Sequence, residues 1–138
     1  MPTLAEISPV TLKKSAVLRV LVVDDEPLIR WSLAETLNEM GHLVVEAGDG
    51  AAAIRALTEG EPFDAVVLDY RLPDSNDLGL LTTIRRVAPQ AAVIMMTAFG
   101  TAEVTSGAIK LGAYRVVPKP FEMHEMAALV IQATASSA

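Results

Sequence analysis

The sequence predicts an α/β domain: a five-stranded parallel sheet with helices on both faces. Three observations lead there. Short apolar runs rich in β-branched residues alternate five times with stretches of helical character, the connection pattern of parallel βαβ units. The central run, Val66-Val67-Leu68, is continuously hydrophobic, as a strand covered on both faces must be. Four of the runs end in polar residues suited to chemistry, at the edge where open α/β sheets place their sites.

The length of 138 residues fits one ordinary domain with a sizeable core. A chain that is 51% hydrophobic is not a disordered one, and a net charge of −6 argues against direct grip on nucleic acid. The absence of cysteine excludes disulfides and thiolate metal sites. His42 and His124 lack a zinc-ligand spacing. Lys13 and Lys14 before an apolar run resemble a secretory leader, but Arg19 interrupts the run and Asp24-Asp25-Glu26 follows it at once. No run approaches a membrane span, so the expectation is a cytoplasmic protein with no membrane contact.

Residues 1–16 contain two prolines and no periodicity, and are expected to be a mobile arm ahead of a domain at 17–138. The first strand, β1, is read at 17–23. Asp24-Asp25-Glu26-Pro27 ends it and opens a helix, α1, because acids and proline suit a helix start. Ile29, Leu33 and Leu37 form its buried stripe, and Gly41 its C-terminal cap. Strand β2 follows at 42–47. Asp49, in a Gly-Asp-Gly turn, is placed to cap helix α2 at 51–58.

Strand β3 at 65–68 ends at Asp69, and Asp74-Ser75-Asn76-Asp77 supplies turn chemistry. Helix α3 occupies 78–87 and is broken by Pro89. Strand β4 at 91–96 ends at Thr97, with Met95-Met96 read as core. Helix α4 at 102–111 is weakened by Gly107, which costs about 1 kcal/mol relative to alanine. Strand β5 at 114–117 leads to Pro118-Lys119-Pro120, and helix α5 covers 122–133.

A parallel sheet gathers Asp24, Asp25, Asp69, Thr97 and Lys119 at one edge. Close carboxylates repel one another and call for a cation. Oxygen-only ligands suit Mg²⁺, which completes its shell with water and phosphate. Asp69 is then a nucleophile able to form an acyl phosphate, with Lys119 offsetting charge and Thr97 donating to a phosphoryl oxygen. Singly, each residue has a plainer explanation: helix-start charge for Asp24-Asp25, a turn for Asp69, a cap for Thr97, a solvated cation for Lys119. Their joint placement at four strand ends is what favours the chemical reading.

The segments Val20-Leu21-Val22-Val23-Asp24-Asp25-Glu26, Val67-Leu68-Asp69 with Pro73, Met96-Thr97-Ala98 and Pro118-Lys119-Pro120-Phe121 resemble the receiver domain of bacterial response regulators. The resemblance covers about residues 17–135. It implies the flavodoxin-like strand order 2-1-3-4-5. It also implies that Asp69 accepts a phosphoryl group from a phosphohistidine on a sensor histidine kinase, without other enzymatic turnover. Asp25, Asp69 and the backbone carbonyl of Arg71 would bind Mg²⁺, Asp24 would act through water, and Thr97 and Lys119 would engage the phosphoryl group.

Leu28, Ile29 and Ser32 would meet the kinase, and an α4–β5–α5 face would meet an output domain or a second copy of the chain. Ile29-Arg30-Trp31 and the residues after Met96 look most like the NtrC-type subclass, whose receivers control sigma-54-dependent transcription activators. Neither an ATPase nor a DNA-binding domain is in this chain, so an excised receiver is expected over a single-domain regulator. Rival readings are a Mg²⁺-dependent phosphatase using an aspartyl phosphate, and an interaction module with a degenerate site.

Two positions depart from the family. The switch aromatic three residues before the lysine is Val116, with Tyr114 expected on the same strand face. A β-branched valine has little rotamer freedom with which to switch. The loop after Asp69 reads Asn76-Asp77 where Asp-Gly is common. Arg71 and Phe99 flank the site.

Overall fold

The structure is a computed structural model that describes residues 16–98 and 100–136. The expected arm, apart from Ala16, and the flanking Phe99 lie outside the described residues. In chain order the elements are β1 (Arg19–Val23), α1 (Pro27–Glu39), β2 (Leu43–Ala47), α2 (Gly50–Glu59), β3 (Ala65–Asp69), α3 (Gly79–Val87), β4 (Ala92–Thr97), α4 (Ala102–Lys110), β5 (Arg115–Pro118) and α5 (Met123–Ser136).

All four strand pairings are parallel, and the sheet order is β2-β1-β3-β4-β5. The order reverses between β1 and β3, so the loops leaving these strands diverge and open a crevice at their carboxyl ends. β3 and β4 are buried at every position, which explains their unbroken apolar sequence.

Strand alternation splits the core in two. Leu21, Val23, Val66, Leu68, Val93 and Met95 face α2, α3 and α4 through Ala53, Leu81, Ile84 and Ala108. Val20, Val22, Val67, Ile94 and Met96 face α1 and α5 through Leu33, Leu37, Met126 and Val130. The Met95-Met96 pair is therefore core, one side chain to each face.

Local signals act where the sequence puts them. Pro27 sits in the first turn of α1, and Gly41 adopts φ +92° after its last turn while its N–H donates to the Asn38 carbonyl. Asp49 Oδ1 accepts the Ala52 N–H at 2.7 Å. Gly107 has a second explanation besides helix weakening: a Cβ there would lie 2.9 Å from Leu78 Cδ1, so glycine lets α4 approach the end of the loop after Asp69.

That loop also differs from its plain reading as a turn. Asp74 reaches back 24 residues and accepts the N–H groups of Gly50 (2.8 Å) and Ala51 (3.0 Å), capping α2 from outside. These bonds hold its carboxyl below the usual range. The Asn76-Asp77 departure needs no left-handed backbone: no described non-glycine residue has positive φ, and Asp77 Oδ1 instead accepts the Gly79 N–H at 2.8 Å. Asp74→Ala is expected to cost about 1 kcal/mol in urea unfolding at pH 7. Because the folded carboxyl is the stronger acid, this contribution is present above the unfolded pKa and fades as pH falls through the folded value.

One expectation is corrected. Tyr114 does not share the face of Val116. Val116 packs against the α2–α3–α4 cluster, whereas Tyr114 packs against the α1–α5 cluster. β5 begins only at Arg115, so the two-residue alternation does not extend back to Tyr114.

Candidate functional site

The carboxyl ends of β1, β3, β4 and β5 bring Asp25, Glu26, Asp69, Arg71, Thr97, Ala98 and Lys119 around one cavity of about 320 Å³. Asp24 lies beneath it, fully buried. The convergence expected for Asp24, Asp25, Asp69, Thr97 and Lys119 is thus present.

Asp24 is held on every side. Its N–H donates to the Ala47 carbonyl (3.1 Å), and its carbonyl accepts from Arg30 Nη1 (2.7 Å). Its Oδ1 accepts the Glu26 N–H (2.9 Å). Its Oδ2 lies 2.9 Å from Lys119 Nζ but out of line, and takes no well-formed hydrogen bond. Asp25 is exposed at the mouth.

Asp69 is 6% exposed; its Oδ2 lies 3.2 Å from Lys119 Nζ and its Oδ1 accepts a long bond, 3.3 Å, from the Arg71 N–H. Thr97 is buried, and its carbonyl accepts the Lys119 N–H at 2.9 Å, which ties the lysine backbone to the end of β4. The Lys119-Pro120 peptide is cis.

Lys119 meets a third carboxylate that sequence reasoning did not assign to the site: Glu26 Oε1, at 3.1 Å. Its only signal was that it directly follows the acidic pair. Burial alone would lower the Lys119 pKa, but Asp24, Asp69 and Glu26 outweigh it and leave it raised, so the ammonium persists at neutral pH. Asp69 moves the other way. Burial, then the charge of Asp24, push its pKa up to about 6 despite the opposing pull of Lys119.

One ammonium among four carboxylates leaves a surplus of negative charge. Asp24, Asp25 and Asp69 each offer an oxygen, all within 4.8 Å of one another. With Asp24 Oδ2 buried and short of a hydrogen-bond partner, this donor set fits a hard divalent cation.

The kinase-side candidates are placed beside the cavity on the first turns of α1. Leu28 is 73% exposed, and Ile29 and Ser32 are half-buried. Trp31, 56% exposed on the same helix, was noticed in the sequence only as part of a motif.

The family model for the response regulator receiver domain matches residues 20–131. The chain belongs to this family. It is a receiver domain of two-component response regulators, a signalling domain and not a classical enzyme, and it is similar to those of NtrC-type proteins. It is 32% identical over 118 residues to the DNA-binding transcriptional regulator NtrC of Azospirillum brasilense, covering 86% of this chain and 24% of that protein. It is 37% identical over 115 residues to the response regulator protein PilR of Pseudomonas aeruginosa, covering 83% of this chain and 26% of that one.

The receiver therefore spans about a quarter of the length of these curated relatives. Among solved structures, the beryllofluoride-activated NtrC4 receiver domain dimer superposes with a TM-score of 0.79 at 35% identity, covering 87% of this chain and 98% of that one. No described helix is long and apolar enough to cross a membrane.

Proposed function

We propose that this receiver is a phosphorylation switch that takes a phosphoryl group onto Asp69 from a phosphohistidine of a sensor histidine kinase. The observation that carries the reading is the placement of Asp69 Oδ2: it faces the cavity's one lysine at 3.2 Å, and an acidic cluster suited to Mg²⁺ stands alongside.

Asp69 is ionised at neutral pH, above its pKa of about 6, and the same burial that raises that pKa leaves the carboxylate poorly solvated and nucleophilic. An Asp69 oxygen attacks phosphorus as the bond to the donor histidine nitrogen breaks, and that nitrogen keeps the electron pair. Lys119 moves its charge from carboxylates to the phosphoryl oxygens, and the Thr97 hydroxyl donates to another. Asp25, Asp69 and the Arg71 carbonyl, with Asp24 behind, would hold Mg²⁺, which would supply positive charge to offset that on the transferring group.

Readout runs through the β4–α4 loop and α4. Ile109 and Leu111, both at least 40% exposed at the end of α4, and the groove between β5 and α5 form an apolar face for a second copy or an output domain. With a β-branched valine at 116, side-chain rotation there has little freedom to carry a signal, and a shift of α4, whose Gly107 seats Leu78 closely, takes its place. The exposed Leu28 and half-buried Ile29 and Ser32 supply the kinase contact.

Incubation with Mg²⁺ and acetyl phosphate should add the mass of one phosphoryl group, and peptide mapping should place it on Asp69. Chelation of the metal should prevent it. No mass gain in the presence of Mg²⁺ sinks the reading in favour of a degenerate interaction module. Multiple turnover of a small phosphate ester would favour a phosphatase instead.

A further inference from the structure

We propose that Arg30 is a positioning residue that holds the β1–α1 turn in the shape metal binding by Asp24 and Asp25 requires. The inference rests on the Mg²⁺ reading above and adds a residue to it. Arg30 stands on α1, yet its side chain turns back to the end of the sheet. Nη1 donates to the Asp24 carbonyl at 2.7 Å, and Nε pairs with Glu46 Oε1 on β2 at 3.1 Å. One guanidinium thus joins the first turns of α1, the end of β1 and the neighbouring strand.

The geometry is built for it. A planar fork with several fixed donors can serve two acceptors at once, which a lysine ammonium on a flexible stem does poorly. Space is reserved as well: a Cβ on Gly48 would come within 3.3 Å of Nη1. The Asp24 carbonyl belongs to the peptide that leads into Asp25. Fixing it sets the direction of the turn carrying both acids, while the Glu26 N–H on Asp24 Oδ1 fixes the side chain. Removing the fork frees a buried carbonyl that must then seek another donor, and the turn moves with it.

Positioning and simple charge predict opposite results, which makes the proposal sharp. Arg30 is a cation near a cation site. By Coulomb's law alone, its removal should tighten Mg²⁺. If it positions the turn, its removal weakens Mg²⁺ by about tenfold, the range typical of groups that orient metal ligands.

The test is a calorimetric Mg²⁺ titration of the full chain without any phosphoryl donor, on wild type, Arg30→Met and Arg30→Lys. Methionine keeps the apolar stem. Lysine keeps the charge, so any loss it shows is geometric, and it decides the matter if the methionine variant does not fold. Weaker binding in both is expected, with faster amide exchange at Asp25 and Glu26 in the metal-free variants. Wild-type or tighter affinity in the folded variants overturns the role of Arg30 while leaving the Mg²⁺ reading intact. A wild-type chain that takes no Mg²⁺ overturns both.

Discussion

Asp69→Asn is expected to take up no phosphoryl group under conditions where the wild type is fully modified. An amide is not a nucleophile toward phosphorus, and no other carboxylate in the cavity can replace it. Asp24 is wholly buried with its Oδ1 already bonded, while Asp25 and Glu26 are exposed to water, Glu26 being paired with Lys119. Intact-mass measurement after acetyl phosphate and Mg²⁺ checks this. An equal mass gain in the variant would place the modification elsewhere.

The same substitution should stabilise the metal-free fold. The Asp69 pKa rises from 3.8 to about 6 on folding, chiefly through burial. The native state therefore holds this proton more tightly than the unfolded chain. Native stability falls as pH rises from about 4 to about 6, and above that window the cost of the buried charge is fully present. Each pKa unit corresponds to about 1.4 kcal/mol, so Asp69→Asn should gain roughly 1–3 kcal/mol at pH 8 without metal. The gain should shrink toward pH 4 and on addition of Mg²⁺. Urea midpoints at the two pH values measure it, and a gain of equal size at both would remove ionisation of Asp69 as its cause.

Lys119→Met should have the opposite effect on stability. It leaves the charges of Asp24 and Asp69 buried without their shared partner, and stripping one member from a buried ion group typically costs about 3–5 kcal/mol. A loss of about 3 kcal/mol is expected in metal-free protein at pH 8. The raised pKa means that the lysine's own contribution is complete below its unfolded pKa and is lost only in strongly alkaline solution as pH rises through the folded value. Between pH 5 and 8 its charge is constant. Any change of the deficit in that range then reports Asp69, which takes up a proton below about pH 6 and so reduces it. Mg²⁺ should narrow the deficit too. Equal urea midpoints for variant and wild type at pH 8 would deny Lys119 its place as the site's counter-charge.

Much of this protein was legible in the chain because the relevant physics is local. Unbroken apolar runs marked β3 and β4, since a strand covered on both faces has no polar position to spare. Chain order, parallel direction and strand length then carried Asp24, Asp25, Asp69, Thr97 and Lys119 to one edge without any knowledge of their contacts. Glycine at 41 and aspartate at 49 announced a helix end and a helix start through backbone chemistry that involves only their neighbours.

What lay hidden depends on pairs far apart in sequence. Asp74 looked like one of several turn residues, and only the packing of α2 against the β3–α3 loop turns it into a cap. Tyr114 looked like a neighbour of Val116 on one face, and only the true start of β5 separates them.

The residues that meet at the carboxyl edge of the sheet were thus determined by the sequence, because a parallel sheet leaves its strand-end residues only one edge on which to meet. How they are bound there was decided by tertiary structure. Glu26 reaches Lys119 across 93 residues, and Arg30 reaches the Asp24 carbonyl around the turn it stabilises. Such contacts follow from the register of neighbouring strands and the direction a side chain takes from its helix, and no local pattern of residues encodes either.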